Sequence, residues 1–209
     1  MRVQVDNSKD TYKTLTHPSE QILFKDKKSK FFGYAFPIQN EEEVKPIIET
    51  LRKQHHTAGH VCYAWQIGID TIRYRANDDG EPKNSAGMPI YGQIQSFEVT
   101  NVLVAVARIF GGTKLGVGGL ISAYRTAAQM ALSASKIIEK IQKTHFELVF
   151  EYPLMDKVMR TIKQKQLQIA SQKMETACTL IISTRKNEEI ATEKLFSQIH
   201  GVELKKLSS

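Results

Sequence analysis

The chain has 209 residues, of which 41% are hydrophobic and 24% charged, an ordinary globular composition with room for one large or two modest domains. It opens without an apolar signal segment and has no run near the roughly 18 apolar residues of a membrane span, which argues against a membrane protein and predicts a cytoplasmic one. The formal net charge of +7 and the pI near 9.3 favour polyanionic partners such as RNA or ribosomes.

Residues 1–143 are predicted to form a first domain of mixed helices and strands. Asn40 followed by Glu43 is a helix-capping pattern, and Pro46 requires the helix proper to begin near it. Hydrophobic periodicity and turn residues predict the following elements in chain order: a strand at 30–37, a helix from 40 to 51, a hairpin of strands 61–67 and 71–76, a strand at 101–108 and a helix from 120 to 132.

Residues 77–82 place three carboxylates, Asp78, Asp79 and Glu81, in a turn. Such a group can bind Mg²⁺ or act as an acid and base pair. The structural alternative is a solvated turn whose carboxylates cap nearby backbone N–H groups. The small residues that follow, 83–89, predict a mobile loop beside a cleft.

Five glycines lie between the predicted strand at 101–108 and the helix that follows it: Gly111, Gly112, Gly116, Gly118 and Gly119. A strand-to-helix turn aims backbone N–H groups at one point, glycine lets a ligand approach the backbone, and Lys114 adds a positive charge. The turn therefore predicts an anion site. Its spacing matches neither common nucleotide-binding fingerprint, and an equally open alternative is that the glycines serve only a tight turn and close helix packing.

Residues 144–209 are predicted to form a second domain. Its elements, in order, are a strand at 145–152, a helix from 153 to 165, strands at 167–172 and 176–184, a helix at 188–198 and a strand at 202–206. This order is the ferredoxin-like arrangement, which many unrelated functions share. Phe146, Phe150 and Tyr152 would lie on one strand face, which favours a buried core over a stacking platform for bases.

Three further groups of residues are candidates for chemistry. His60 is a candidate acid or base, while Cys62, on the same strand face, is better explained as a buried structural residue. Neither the histidines nor the two cysteines have metal-ligand spacing, so no metal site is predicted. Lys28 and Lys30 precede a run of aromatic residues, as on nucleic-acid surfaces, although a solvated charged segment is the alternative.

Six short motifs occur along the chain. They are Lys28-x-Lys30-Phe31, His60-Val-Cys62-Tyr63-Ala64, Asp78-Asp-Gly-Glu-Pro82, Ser85-Ala-Gly87-x-Pro89, Arg108-x-Phe-Gly-Gly-Thr-Lys-Leu-Gly116, and Gly118-Gly-Leu120 with Ala123-Tyr124. Together they resemble the YigZ/IMPACT family. The chain departs from that family at Ser122, where Arg is common, but Arg108, Lys114 and Arg125 are still available for an anion pocket.

The resemblance implies an α+β fold of two domains. The first, 1–143, would have a ribosomal-protein-like, left-handed βαβ arrangement. The second, 144–209, would be ferredoxin-like and similar to the last domain of elongation factor G. Eukaryotic members regulate translation under amino-acid starvation through a different appended domain, so their protein partner is not expected here.

Two functions of different classes follow. The leading prediction is a non-catalytic, cytoplasmic RNA- or ribosome-associated protein that regulates translation and contacts phosphate through the glycine turn and Lys114. The alternative is an enzyme acting on a nucleotide or another phosphate-containing small molecule. In that case the glycine turn would bind the phosphate, the acidic loop would hold Mg²⁺, and Asp78, Asp79, Glu81 or His60 would act in catalysis. No organic cofactor is expected in either case.

Overall fold

The structure is a computed structural model that describes residues 10–207. It is a mixed α+β protein that divides into two compact units, Tyr12–Lys140 and a second unit formed by Ile141 onward together with Asp10 and Thr11. Residues 141–143, which the sequence assigns to the first domain, lie in the second unit. Within the described part of the chain, no helix is both long and apolar enough to cross a membrane.

The elements of the first unit are β1 (Thr11–Leu15), β2 (Ile22–Asp26), β3 (Ser29–Pro37), α1 (Val44–Gln54), β4 (His60–Ile67), β5 (Arg73–Asn77), α2 (Gly87–Ser96), β6 (Val102–Ile109), α3 (Gly116–Ser133) and β7 (Ile137–Ile141). Five of the strands form an antiparallel sheet in the order β2-β3-β6-β4-β5, and β1 and β7 form a separate pair.

The central strand β6 is apolar from Val102 to Ala107, before Arg108, because both of its faces are covered. Val104 and Val106 belong to a buried cluster with residues of α2 and α3. Leu103 and Ala105 belong to a second cluster with residues of α1 on the opposite face. Burial on both sides removes the alternation of polar and apolar residues that a half-exposed strand shows. The continuous apolar run in the sequence therefore reflects a strand between two helical layers.

The start of α1 follows the capping pattern in the sequence. Asn40 accepts a hydrogen bond from the backbone N–H of Glu43, and the Glu43 carboxylate accepts one from the backbone N–H of Asn40. A single 3-10 turn precedes α1, which places Pro46 in the first turn of the helix. A backbone N–H in that position has no partner within the helix, so proline is tolerated there.

The prediction of a mobile loop over residues 83–89 is wrong for its last part. α2 begins at Gly87, and Gly87, Pro89 and Ile90 are buried. The carboxylate of Asp78 accepts hydrogen bonds from the backbone N–H groups of Ala86 and Gly87 and so fixes the beginning of the helix. This cap comes from outside the local sequence, which is why periodicity did not indicate it.

The strands of the second unit are β8 (Lys143–Phe150), β9 (Gln168–Met174), β10 (Cys178–Arg185) and β11 (Val202–Leu207). They form an antiparallel sheet in the order β11-β8-β10-β9. Phe146 and Phe150 are buried together with residues of the two helices, as predicted, and Cys178 lies in the same core. Tyr152 is not on that face: it lies beyond the strand in a short 3-10 turn and is 73% exposed. The two helices of this unit are α4 (Met155–Gln164) and α5 (Glu189–Ser197).

Candidate functional site

Most candidate residues of the first unit lie at one end of the five-stranded sheet, where β3 and β4 begin and β5 and β6 end. The strand register places Arg108 opposite both Phe31 and His60. The acidic loop leaves this end of the sheet after Asn77, and the glycine turn leaves it after Ile109. Antiparallel pairing therefore brings the two loops to the same end of the sheet, although they are far apart in sequence. We call this end the loop end of the sheet.

A buried hydrogen-bonded network connects the acidic loop to α3 at the loop end. One carboxylate oxygen of Glu81, Oε1, lies 2.7 Å from Arg108 Nη1 and 2.7 Å from the Tyr124 hydroxyl, and both groups donate to it. The Cys62 thiol donates to the carbonyl of Asp78 at 3.0 Å and lies 3.3 Å from the Tyr124 hydroxyl. Burial raises the pKa of the Cys62 thiol and that of the Tyr124 hydroxyl, so both groups stay protonated.

The carboxylate of Asp78 accepts three backbone hydrogen bonds from the residues that follow it. The donors are the N–H groups of Asn84, Ala86 and Gly87, at 2.8 Å, 3.0 Å and 2.8 Å. Three such bonds hold the loop in one conformation. Asp78 therefore has the structural role that the sequence left open as the alternative to metal binding.

Asp79 is also held by neighbouring groups. Its carboxylate accepts hydrogen bonds from the backbone N–H of Val61 and from Arg52 Nη2, both at 2.6 Å. Its carbonyl oxygen lies 2.7 Å from Nδ1 of His60, which donates to it. Both carboxylates of the pair thus have protein partners, and no group of three or more His, Cys, Asp and Glu side chains suited to a metal ion occurs among residues 10–207.

The glycine turn packs against the hairpin between β2 and β3. A Cβ atom added to Gly111 would lie 2.0 Å from the carbonyl carbon of Lys28 and 2.2 Å from the backbone nitrogen of Ser29. The N–H of Gly111 donates to the Ser29 hydroxyl at 3.1 Å. Only glycine permits so close an approach of two backbone segments. The structural interpretation of the turn therefore applies to Gly111.

The other glycines of the turn have different surroundings. Gly112 and Gly116 have φ angles of +84° and +74°, which favour glycine for conformational reasons. Gly119 packs against Leu115, whereas a side chain at Gly118 would meet nothing within 4 Å. Packing and backbone conformation thus do not explain Gly118, whose backbone is open to an approaching ligand.

Four lysines surround the turn between β2 and β3. Lys27 and Lys28 form the two-residue turn with φ angles of +42° and +68°. Lys25 and Lys30 are directly opposite each other in the strand register. We call residues 25–30 the lysine hairpin. Its tip meets Gly111, so the structure brings the basic segment and the glycine turn together.

The remaining predicted anion-binding residues do not converge on one pocket. Lys114 is exposed in the turn itself. Lys30 lies opposite Ile109, on the sheet face that α1 covers, whereas Arg108 lies on the other face. Arg125 is nine residues after the start of α3, which places it about 13 Å along the helix axis. The predicted set is therefore spread over one end of the unit.

Sequence reasoning missed Phe110, which lies between Arg108 and the glycines. The guanidinium carbon of Arg108 lies 5.5 Å from the ring centre of Phe110 and 5.7 Å from that of Phe31. Phe31 is fully buried, whereas Phe110 is 54% exposed. The sequence signal was an aromatic residue directly before a glycine pair. Tyr124 was noted only as part of a motif and was given no role, and nothing in the sequence indicated the contact of Arg52 with Asp79.

Comparison with known proteins finds one matching domain family and relatives of similar sequence. Residues 27–132 match the model of the Impact N-terminal domain. An "IMPACT family member" of Haemophilus influenzae is 30% identical over 189 residues, which cover 88% of this chain and 92% of the relative. "IMPACT family member YvyE" of Bacillus subtilis is 32% identical over 139 residues, or 66% of this chain and 64% of the relative.

A solved structure extends the similarity to the fold. It is titled "Crystal structure of an hypothetical protein", is 26% identical, covers 95% of this chain and 97% of its own, and gives a TM-score of 0.68. The agreement spans both units of the chain. The domain match and the full-length bacterial relative lead to one conclusion: this chain belongs to the IMPACT family.

Proposed function

We propose that this chain is a non-catalytic cytoplasmic protein that associates with RNA or the ribosome and regulates translation. The observation that carries the proposal is the contact between the lysine hairpin and the glycine turn at the loop end of the sheet. Membership of the IMPACT family adds the link to translation, since eukaryotic members have that role. The net charge of +7 is consistent with a polyanionic partner.

The arrangement of the lysine hairpin favours an anionic ligand. Like charges that face each other across two strands destabilise the sheet, and Lys25 and Lys30 are such a pair, whereas Asp26 lies opposite Ser29. A bound phosphate backbone relieves this repulsion and releases its own counterions. The hairpin is therefore better suited to a complex with a polyanion than to the isolated protein.

The glycine turn supplies a second kind of contact to the same partner. The first turn of α3 has no side-chain cap, so its backbone N–H groups are available to a phosphate oxygen. Gly118 leaves room for close approach, and Lys114 is exposed beside it. Phosphate contacts of this kind position a protein on nucleic acid without reading its sequence.

We propose a ribosomal-protein-like first domain, 1–143, and a ferredoxin-like second domain, 144–209. The antiparallel order β11-β8-β10-β9, with the core on one sheet face, supports the second of these. The alternative, an enzyme acting on a phosphorylated or nucleotide substrate, has less support because the carboxylates of Asp78 and Asp79 already have protein partners.

The test is co-sedimentation of the full chain with ribosomes, and separately with total RNA, over a series of salt concentrations. We expect association at low salt that weakens steeply as salt rises. Lys28→Ala and Lys114→Ala should each weaken binding and reduce the slope of log affinity against log salt by about one. The matched control is Lys136→Ala, an exposed lysine beyond the other end of α3.

Two results would overturn the proposal. One is the absence of wild-type association at low salt. The other is association that does not respond to salt and is equally strong in the Lys28, Lys114 and Lys136 variants. Stabilisation of the protein by a nucleotide with Mg²⁺, in the absence of RNA binding, would instead favour the enzyme.

A further inference from the structure

Phe110 is an exposed aromatic residue at the loop end of the sheet. The residue is 54% exposed and begins the turn that contains Gly111 and Gly112. Exposing this much apolar surface is unfavourable in water, and a single large exposed aromatic in a basic surface is typical of proteins that stack nucleic-acid bases.

The buried guanidinium of Arg108 lies over one face of the Phe110 ring. Arg108 is 7% exposed, donates to Glu81 at 2.7 Å, and lies between Phe31 and Phe110. Because the guanidinium lies over one face of the Phe110 ring and the residue is more than half exposed, the opposite face is accessible to a planar ligand. Arg108 is itself fixed by Glu81 and Phe31, so the position of the ring is defined before any ligand binds.

The residues beside the ring leave space for a base and provide charges for its phosphates. Gly112 has no side chain, and one added there would meet nothing within 4 Å. The backbone of Lys28 lies against Gly111, and Lys114 follows Phe110 by four residues in the exposed turn. A stacking ring with lysines near it is the combination that binds single strands, whereas the bases of a duplex are already stacked on one another.

We propose that Phe110 is a base-stacking residue and that the loop end of the sheet selects unpaired RNA over duplex RNA. This inference rests on the proposed function, because it specifies the form of RNA that the site binds. The lysines contribute to the affinity for both forms, and Phe110 contributes only where a base is free to stack.

The experiment compares a short unstructured RNA with an RNA duplex of the same length, using the full chain and fluorescence anisotropy. Phe110→Ala should weaken binding of the unstructured RNA between about 5-fold and 100-fold and leave duplex binding unchanged. Lys114→Ala is the matched control and should weaken both. Thermal unfolding of Phe110→Ala checks that the variant is folded.

A second variant gives a direct signal of stacking. Trp65 is the only tryptophan of the chain and is 4% exposed, so it contributes a constant background. Phe110→Trp should retain the affinity for unstructured RNA, and its added fluorescence should be quenched by that RNA but not by the duplex.

The outcomes separate the inference from the function on which it rests. If the wild type binds neither RNA at low salt and does not co-sediment with ribosomes, the proposed function fails and the inference with it. If it co-sediments with ribosomes but binds neither RNA, only the inference fails. If the wild type binds RNA but Phe110→Ala affects the two forms equally, or affects neither, only the stacking role is overturned. Unquenched fluorescence of a Phe110→Trp variant that binds unstructured RNA leads to the same conclusion.

Discussion

Lys25 and Lys30 face each other across the two-residue turn between β2 and β3. Both side chains are exposed on the same sheet face. Their proximity lowers the stability of the free protein, because two like charges in directly opposite positions repel each other. The same proximity concentrates positive charge beside Gly111. Stability and ligand binding therefore make opposite demands on this pair.

Replacing one lysine of the pair should move stability and binding in opposite directions. Lys25→Glu converts the repulsion into an attraction with Lys30, and we expect the free energy of unfolding to rise by about 0.2–1 kcal/mol. The same change places a negative charge beside the phosphate backbone, so RNA association at low salt should fall. Urea denaturation and co-sedimentation measure the two effects.

Lys25→Gln is the intermediate case, since it removes the repulsion without adding an attraction. A Lys25→Glu protein that is less stable than the wild type, or that binds RNA equally well, would show that the pair does not have the role assigned to it.

The two interpretations of the glycine turn can be separated by a pair of alanine substitutions. Gly111→Ala should destabilise the protein and displace the hairpin, because the new Cβ would lie 2.0 Å from a backbone carbon of Lys28. Gly118→Ala meets no atoms and should stabilise α3 by about 0.5 kcal/mol. If Gly118 serves a ligand, the stabilised variant should bind RNA less well. Unchanged binding by Gly118→Ala would favour a purely structural turn.

The buried network predicts unequal costs for its members. Glu81→Ala leaves the guanidinium of Arg108, 7% exposed, without its counter-charge, and should lower the free energy of unfolding by about 3–5 kcal/mol. Tyr124→Phe removes the hydrogen bond to Glu81 and the contact with the Cys62 thiol but keeps the edge-to-face contact with Phe31, so its cost should be about 1 kcal/mol. Urea denaturation followed by Trp65 fluorescence measures both. Equal costs would mean that the ion pair is not the dominant contact.

The second unit should lose stability in acid through Glu189. Burial acts to raise the pKa of this carboxyl, but hydrogen bonds from Lys186, Lys206 and Thr144 outweigh it and lower the pKa from 4.5 to about 2. Because the folded state holds the ionised form, this stabilisation is complete above pH 4.5 and is lost as the pH falls towards about 2.

The titration of Glu189 can be followed directly by NMR of its carboxyl carbon. Urea denaturation monitored by circular dichroism over the same pH range should show a smaller loss of stability in Glu189→Gln than in the wild type. A carboxyl that titrates near its ordinary value would contradict the assignment.

Sequence periodicity indicated the elements whose signals are local. The strand at β6 was visible as an apolar run, and α1 was visible from Asn40 and Glu43. α2 was missed because its cap, Asp78, lies nine residues before Gly87 and acts through a folded loop. Helix signals that depend on such contacts cannot be detected in a short window of sequence.

In the candidate site, too, local sequence signals were recognised and contacts between distant residues were not. The glycines and Lys114 were recognised from their place between a strand and a helix. The contact of Gly111 with Ser29, 82 residues away, arises only when β3 pairs with β6. The partners of Asp79 and Glu81 also come from other elements, so the sequence left metal binding and capping equally open. These contacts, which form only when the chain folds, favour the structural role.

The burial of the two cysteines has a practical consequence. Cys62 lies in the core of the first unit and Cys178 in the core of the second, and the chain has no other thiol. An alkylating reagent can therefore reach a thiol only when the surrounding unit opens. The rates at which the two cysteines are labelled report the opening of the two units separately, each from within one unmodified chain.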